Sequence, residues 1–72
     1  MKQIIKKDPD GNIWSKYYIN HLNQKNGLDI GYYVNGNILY KTNYLNDKLF
    51  GLDYWYNNNN NNNKPYKITY YL

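Results

Sequence analysis

Apolar and polar side chains alternate with a period of two along most of this chain. Leu28, Ile30, Tyr32 and Val34 alternate with Asp29, Gly31 and Tyr33, and Leu52, Tyr54 and Tyr56 repeat that face. Ile38, Tyr40, Thr42 and Tyr44 form one side of a further run, with Leu39, Lys41, Asn43 and Leu45 opposite; Tyr66, Ile68, Tyr70 and Leu72 make the last. Successive side chains of a strand point to opposite faces, so this pattern marks strands, and no stretch carries the stripe of an amphipathic helix. Tyr, Ile, Trp and Thr also favour a pleated surface. Six strands are predicted, over residues 2–7, 12–19, 28–34, 37–45, 52–57 and 65–71.

The turns between them have separate causes. Asn35-Gly36 is the strongest short hairpin signal and predicts a two-residue type I′ turn, in which both residues take positive φ. In Pro9-Asp10-Gly11, Pro presets φ and Gly supplies the left-handed residue of a bulge. Gly27 and Gly51 each open a strand after a polar turn. Short turns between consecutive strands give an all-β fold, an antiparallel meander of about six short strands.

The chain also repeats itself, which bears on fold before any local reading. Gly27-Leu28-Asp29 returns 24 residues later as Gly51-Leu52-Asp53, and Tyr32 returns as Tyr56. Gly11-Asn12-Ile13 returns as Gly36-Asn37-Ile38, and Tyr40-Lys41 as Tyr66-Lys67. One domain, 1–72, then divides into a degenerate first half-repeat (1–26), a repeat over 27–50 and a repeat over 51–72. The stretch INHLNQKN is placed as a small loop insertion in the first copy. Seven Asn residues, 57–63, stand where the sister copy has Asn35-Gly36. Loop closure entropy grows slowly with length, so the run reads as an expansion tolerated at a loop tip.

The stretch GLDIGYYVNGNILYKTNYLNDKLFGLDYWY resembles the MORN-type repeat in its bacterial and giant-virus variant. The matching positions are Gly27, Tyr32-Tyr33, Asn35-Gly36, Ile38, Tyr44, Lys48 and Gly51. About two repeats are covered. The chain departs from the pattern at Asn46-Asp47, where Asn-Gly is usual before the Lys, and in the Asn run. The resemblance implies a single-layer, twisted sheet of hairpins. It further implies protein–protein scaffolding, sometimes lipid headgroups, and in the bacterial variant an antitoxin or immunity-like partner of a toxin. It carries no active-site signature.

Composition narrows the rest. A chain of 72 residues buries only about 60% of its unfolded surface and commonly needs a staple or a partner. With no Cys there is neither a disulfide nor a thiolate metal site, which fits a reducing compartment, and a cytoplasmic location is expected. No apolar run approaches the roughly 18 residues of a membrane span. MKQIIKKDPDG has too small an apolar block for a secretory signal. Ala, Arg and Glu are absent while Asn, Tyr, Lys and Ile dominate, a bias that suggests an AT-rich source such as a giant virus. The net charge of +4 comes entirely from scattered Lys residues.

Candidate chemistry is thin. His21, Ser15 and five Asp are the inventory, with His21 in the inserted loop and nothing to place it beside Ser15. Asp8, Asp10 and Asn12 read as a turn, since a calcium loop needs more oxygen ligands and a distal Glu. Asp29 and Asp53 hold equivalent repeat positions on the less apolar face, where cross-strand Lys41 and Lys67 would pair with them as solvated charges. No catalytic residue, cofactor or metal site is expected, and the chain is not expected to be an enzyme.

The aromatics carry the functional expectation. One face, with Leu28, Ile30, Tyr32, Ile38, Tyr40, Tyr44, Leu52, Tyr54 and Tyr56, is expected to curl into a thin core. The other leaves Trp14, Tyr33, Leu39, Trp55 and Tyr71 as an exposed patch, the kind of surface that marks an interaction site. These five are the expected anchors for a protein partner or a homo-oligomer, aided by the strand edges at Lys2–Lys7 and Tyr66–Leu72. A nucleic-acid reading, through Lys16, Lys41, Lys64 and Lys67 with stacking Tyr, ranks below it.

Overall fold

The computed structural model describes residues 1–58 and 64–72. The chain forms one antiparallel sheet of seven strands: β1 (Lys2–Lys7), β2 (Ile13–Ile19), β3 (Gly27–Tyr32), β4 (Ile38–Leu45), β5 (Lys48–Leu49), β6 (Gly51–Trp55) and β7 (Lys67–Tyr71). Neighbours run β1-β2-β3-β4-β6-β7, with the short β5 paired to β4. The meander is therefore as predicted, and the described residues include no helix. The Asn run expected as a loop lies, apart from Asn57 and Asn58, outside the described residues.

Three turns fix the register. Gly36 N–H donates to Tyr33 O at 2.9 Å, and Tyr33 N–H donates to Asn37 O at 2.8 Å. Only Gly36 there is left-handed, at φ 92°. The loop is therefore Val34-Asn35-Gly36, a three-residue turn ending in a glycine bulge, and not the predicted type I′ turn. Val34 and Asn35 stay out of the left-handed region this way, and Gly36 alone bears it. The Asp8–Gly11 turn repeats this geometry, with Gly11 at φ 88° and Gly11 N–H donating to Asp8 O at 3.0 Å. Type I′ signs appear instead at Asn46 and Asp47, φ 51° and 71°, joining Leu45 to its partner Lys48.

Two bulges set which side chains share a face. Lys6 pairs with Ser15 but Lys7 with Ile13, so Trp14 is the extra residue. Gly31 pairs with Tyr40 but Tyr32 with Ile38, so Leu39 is extra. A bulge breaks the period of two. Ile38 and Tyr40, predicted on one face, consequently lie on opposite faces.

Two adjacent rows show the outcome. One crosses the sheet as Lys6, Ser15, Gly31, Tyr40, Trp55 and Lys67. The next crosses as Ile5, Lys16, Ile30, Lys41, Tyr54 and Ile68. Adjacent rows face opposite ways. The first face therefore carries Asp29, Thr42 and Asp53 as well; we call it the carboxylate face. The second, the open face, carries Leu28, Leu52 and Tyr70.

The sheet is a single layer, 37 × 32 × 13 Å. Among the described residues Tyr56 is the one buried apolar side chain, held by Tyr33 Oη donating to its carbonyl (2.7 Å) and by its own N–H donating to Leu39 O (2.9 Å). The predicted thin core of apolar residues does not form. The other buried side chains, Ser15, Asp29, Thr42 and Asp53, are all polar and all on the carboxylate face.

Candidate functional site

Short polar side chains can be buried in a one-layer sheet only if longer ones lie across them. Asp29 is 2% exposed and Asp53 5%. Above Asp29 the cover is built from three elements. Tyr40 Oη, from β4, donates to Asp29 Oδ1 at 3.2 Å, and Ser15 Oγ, from β2, donates to the same oxygen at 3.4 Å. Lys25 Nζ, from the loop before β3, pairs with Asp29 Oδ2 at 2.9 Å. The ammonium also stands 4.7 Å from the Tyr17 ring centre and 4.9 Å from that of Tyr44, two cation–π contacts.

Gly31 makes room for this cover. A Cβ there would stand 2.0 Å from Tyr40 Cε2, because the Tyr40 ring lies across the Gly31 backbone. That ring also packs on Trp55, with centroids 5.1 Å apart. Lys25 is fixed at its backbone too. Its N–H donates to Asp47 Oδ1 at 2.7 Å, and its carbonyl accepts from Asp47 N–H at 2.9 Å. The left-handed Asn46-Asp47 turn thus docks on the Asn20–Asn26 loop. Asn20 organises that loop by accepting from the N–H groups of Leu22 and Gln24.

The electrostatics follow from the geometry. Burial lowers the Lys25 pKa, but the hydrogen bond and charge of Asp29 outweigh it and hold the ammonium above the ordinary lysine value. Burial pushes the Tyr40 hydroxyl above the usual tyrosine range; Ser15 opposes this and the Asp29 charge adds to it.

Asp53 has the equivalent repeat position and a different environment. Its Oδ2 accepts from Trp55 Nε1 at 3.0 Å, while among the described residues neither its Oδ1 nor the buried Thr42 Oγ1 has a hydrogen-bond partner. Asp53 lines an open cleft of about 390 Å³ with Tyr44, Leu49, Trp55, Lys67 and Tyr71 among its walls.

The expected solvated pairs are therefore corrected. Asp29 and Asp53 are buried, and Lys41 stands across from Ile30 on the open face. Lys67 stands across from Trp55 on the cleft wall, and among the described residues the one ion pair is Lys25–Asp29.

The five expected anchors do not form one patch. Trp55 and Tyr71 line the cleft. Tyr33 and Leu39 both hold Tyr56, and Trp14 sits on the β2 bulge, 52% exposed. Ser15 is buried against Asp29, His21 is exposed in the loop after β2, and Asp8 Oδ1 accepts from the N–H groups of Asp10 and Asn12 within its own turn. Among the described residues no group of three or more His, Cys, Asp or Glu is placed to hold a metal. Nor is any helix long and apolar enough to cross a membrane. Sequence reasoning missed Lys25, Tyr17 and Tyr44 as a unit. The available signal was the repeat itself: Lys25 stands two residues before Gly27, and Leu49 two before Gly51.

Comparison with protein-family models, with curated proteins and with solved structures gives no match.

Proposed function

We propose that this chain is a non-enzymatic protein-binding module that docks its partner on the open face of the sheet. The observation that carries the reading is the missing second layer. Ile5, Leu28, Leu52, Ile68 and Tyr70 are all exposed on one face of a sheet 13 Å thick. A sheet stabilises itself by burying one face against another element, and this one has none within the described chain. A face 37 by 32 Å across is ample for the roughly 800 Å² per partner of a standard interface.

Lys16 and Lys41 alternate with the apolar residues of that face and lie over the rings of Tyr32 (5.7 Å) and Tyr56 (6.0 Å). A surface presenting apolar side chains with carboxylates among them is the complementary partner. The nucleic-acid reading is less well supported. Of its four lysines, Lys16 and Lys41 belong to the open face and Lys67 to the opposite one, so no single basic track joins them.

The test is sedimentation and cross-linking of the wild type and of a Leu52→Lys/Ile68→Lys variant. The expected result is a self-associated wild type, or a stable complex with an isolated partner. The variant abolishes either while its β-sheet circular dichroism is unchanged. A wild type that stays monomeric at millimolar concentration and binds only partners indifferent to the two substitutions would overturn the reading.

A further inference from the structure

We propose that the cleft beside Asp53 is a binding site for a primary alkylammonium group, the side chain of a partner's lysine or a free amine. The inference goes beyond the docking reading and concerns the opposite face.

The chain supplies its own template. In the first full repeat, the buried carboxylate of Asp29 is neutralised by Lys25, whose ammonium enters between the rings of Tyr17 and Tyr44. In the second, Asp53 is as deeply placed and is again flanked by aromatic rings, Trp55 and Tyr71 with Tyr44 on the near side. The residue in the position of Lys25 is Leu49, which brings bulk and no charge. One oxygen of Asp53 is committed to Trp55 Nε1, and the other is buried without a donor among the described residues. A buried carboxylate oxygen lacking any donor is costly, and a charge-assisted N–H is the strongest remedy. Thr42 Oγ1, also buried and unpartnered, lines the same cleft and offers a second acceptor. An ammonium has three donors, and its alkyl stem suits walls of Leu49, Tyr44 and Tyr71.

Three other charges face the site, Asp29 being one of them. Lys25 is spent on Asp29. Lys67, on the cleft wall, is exposed and forms no ion pair among the described residues, and it is the chain's own competitor for Asp53.

The experiment is a titration of the ¹⁵N-labelled protein at pH 7, following the Trp55 indole N–H, which reports on Asp53 directly. The probes are n-butylammonium, neutral n-butanol, and a peptide with blocked termini whose one charge is a lysine side chain. The expected result is a saturable shift with the two ammonium probes and none with butanol. A tighter response to the peptide assigns the site to a partner's lysine, and an equal response assigns it to free amines. Asp53→Asn, which keeps an acceptor for Trp55, should lose the shift. Leu49→Lys, which rebuilds the Lys25 arrangement, should lose it too and should melt at a higher temperature, but not when combined with Asp53→Asn. Leu52→Lys/Ile68→Lys should leave the titration unchanged, which separates this site from the docking face. Absence of a saturable shift in the wild type overturns the proposal, including the case where Lys67→Gln restores one and so identifies Lys67 as the occupant. A shift that survives Asp53→Asn overturns it as well.

Discussion

Replacing Lys25 with Met isolates the most consequential contact in the molecule. The substitution keeps the length of the apolar stem and removes the ammonium that pairs with Asp29 and faces Tyr17 and Tyr44. Breaking a fully buried ion pair by removing one partner costs about 3–5 kcal/mol. Two features reduce that figure. The Lys25 side chain is 36% exposed, and Asp29 retains the hydroxyls of Tyr40 and Ser15, the latter at a long 3.4 Å. The two cation–π contacts, worth roughly 0.5–1 kcal/mol each at partly exposed sites, add to the loss. A net destabilisation of about 2–3 kcal/mol is expected. A chain of this size has a total on the order of 5 kcal/mol, so the melting temperature should fall by roughly 10 °C or more. Urea unfolding followed by circular dichroism measures it. The signature of the mechanism is rescue: Lys25→Met with Asp29→Asn should be more stable than Lys25→Met alone, because the stranded charge is gone. A loss under about 0.5 kcal/mol, the range of ordinary surface substitutions, would refute the reasoning, as would a double variant no better than the single one.

Alkaline pH tests the same cluster without substitution. Lys25 and Tyr40 both hold their protons more tightly folded than unfolded, so their contribution is full below the unfolded values of 10.5 and 10.0 and is lost as pH rises through the folded ones. Stability should decline above about pH 10, and Lys25→Met should flatten part of that decline. Gly31→Ala should cost about 1–3 kcal/mol by overpacking against the Tyr40 ring, and Tyr40→Ala in the same chain should absorb most of that increment. Asp47→Ala should cost about 1–2 kcal/mol, since it keeps the left-handed strain and loses the Lys25 N–H bond, while Asp47→Gly relieves the strain and stays near the wild type. Tyr33→Phe should cost about 1 kcal/mol by leaving the Tyr56 carbonyl without its donor. Urea midpoints measure all three.

Strand positions were legible because the period of two is a local property; six of the seven strands fall close to where alternation placed them. The seventh, Lys48–Leu49, is too short to alternate. Faces were less legible. The extra residue at Leu39 reverses the phase between Ile38 and Tyr40, and nothing in GNILYK marks a bulge. The same error sent Tyr40 and Tyr44 to the apolar side, away from Asp29. Turn type at Asn35-Gly36 was misread because that dipeptide fits both loops, and the choice depends on which residues pair across it. The strained Asn46-Asp47 turn is held from outside, by Lys25, so its own sequence could not announce it. The cluster around Asp29 was hidden for a related reason. Aspartate in an alternating strand looks solvated until the rings from neighbouring strands are seen to close over it.

The absence of a second layer among the described residues has a consequence for how the molecule comes apart. Each strand is supported only by the strands beside it, so loss of structure should spread by unzipping inward rather than by collapse of a shared centre. β7, at the rim and with Ile68 and Tyr70 outward, is the natural starting point. The amides of β3 and β4, where Asp29 is clamped, should exchange with solvent last. A ligand or partner that bridges β4, β6 and β7 would then act as a stitch across the weakest seam, and its presence would be felt first in how slowly that rim frays.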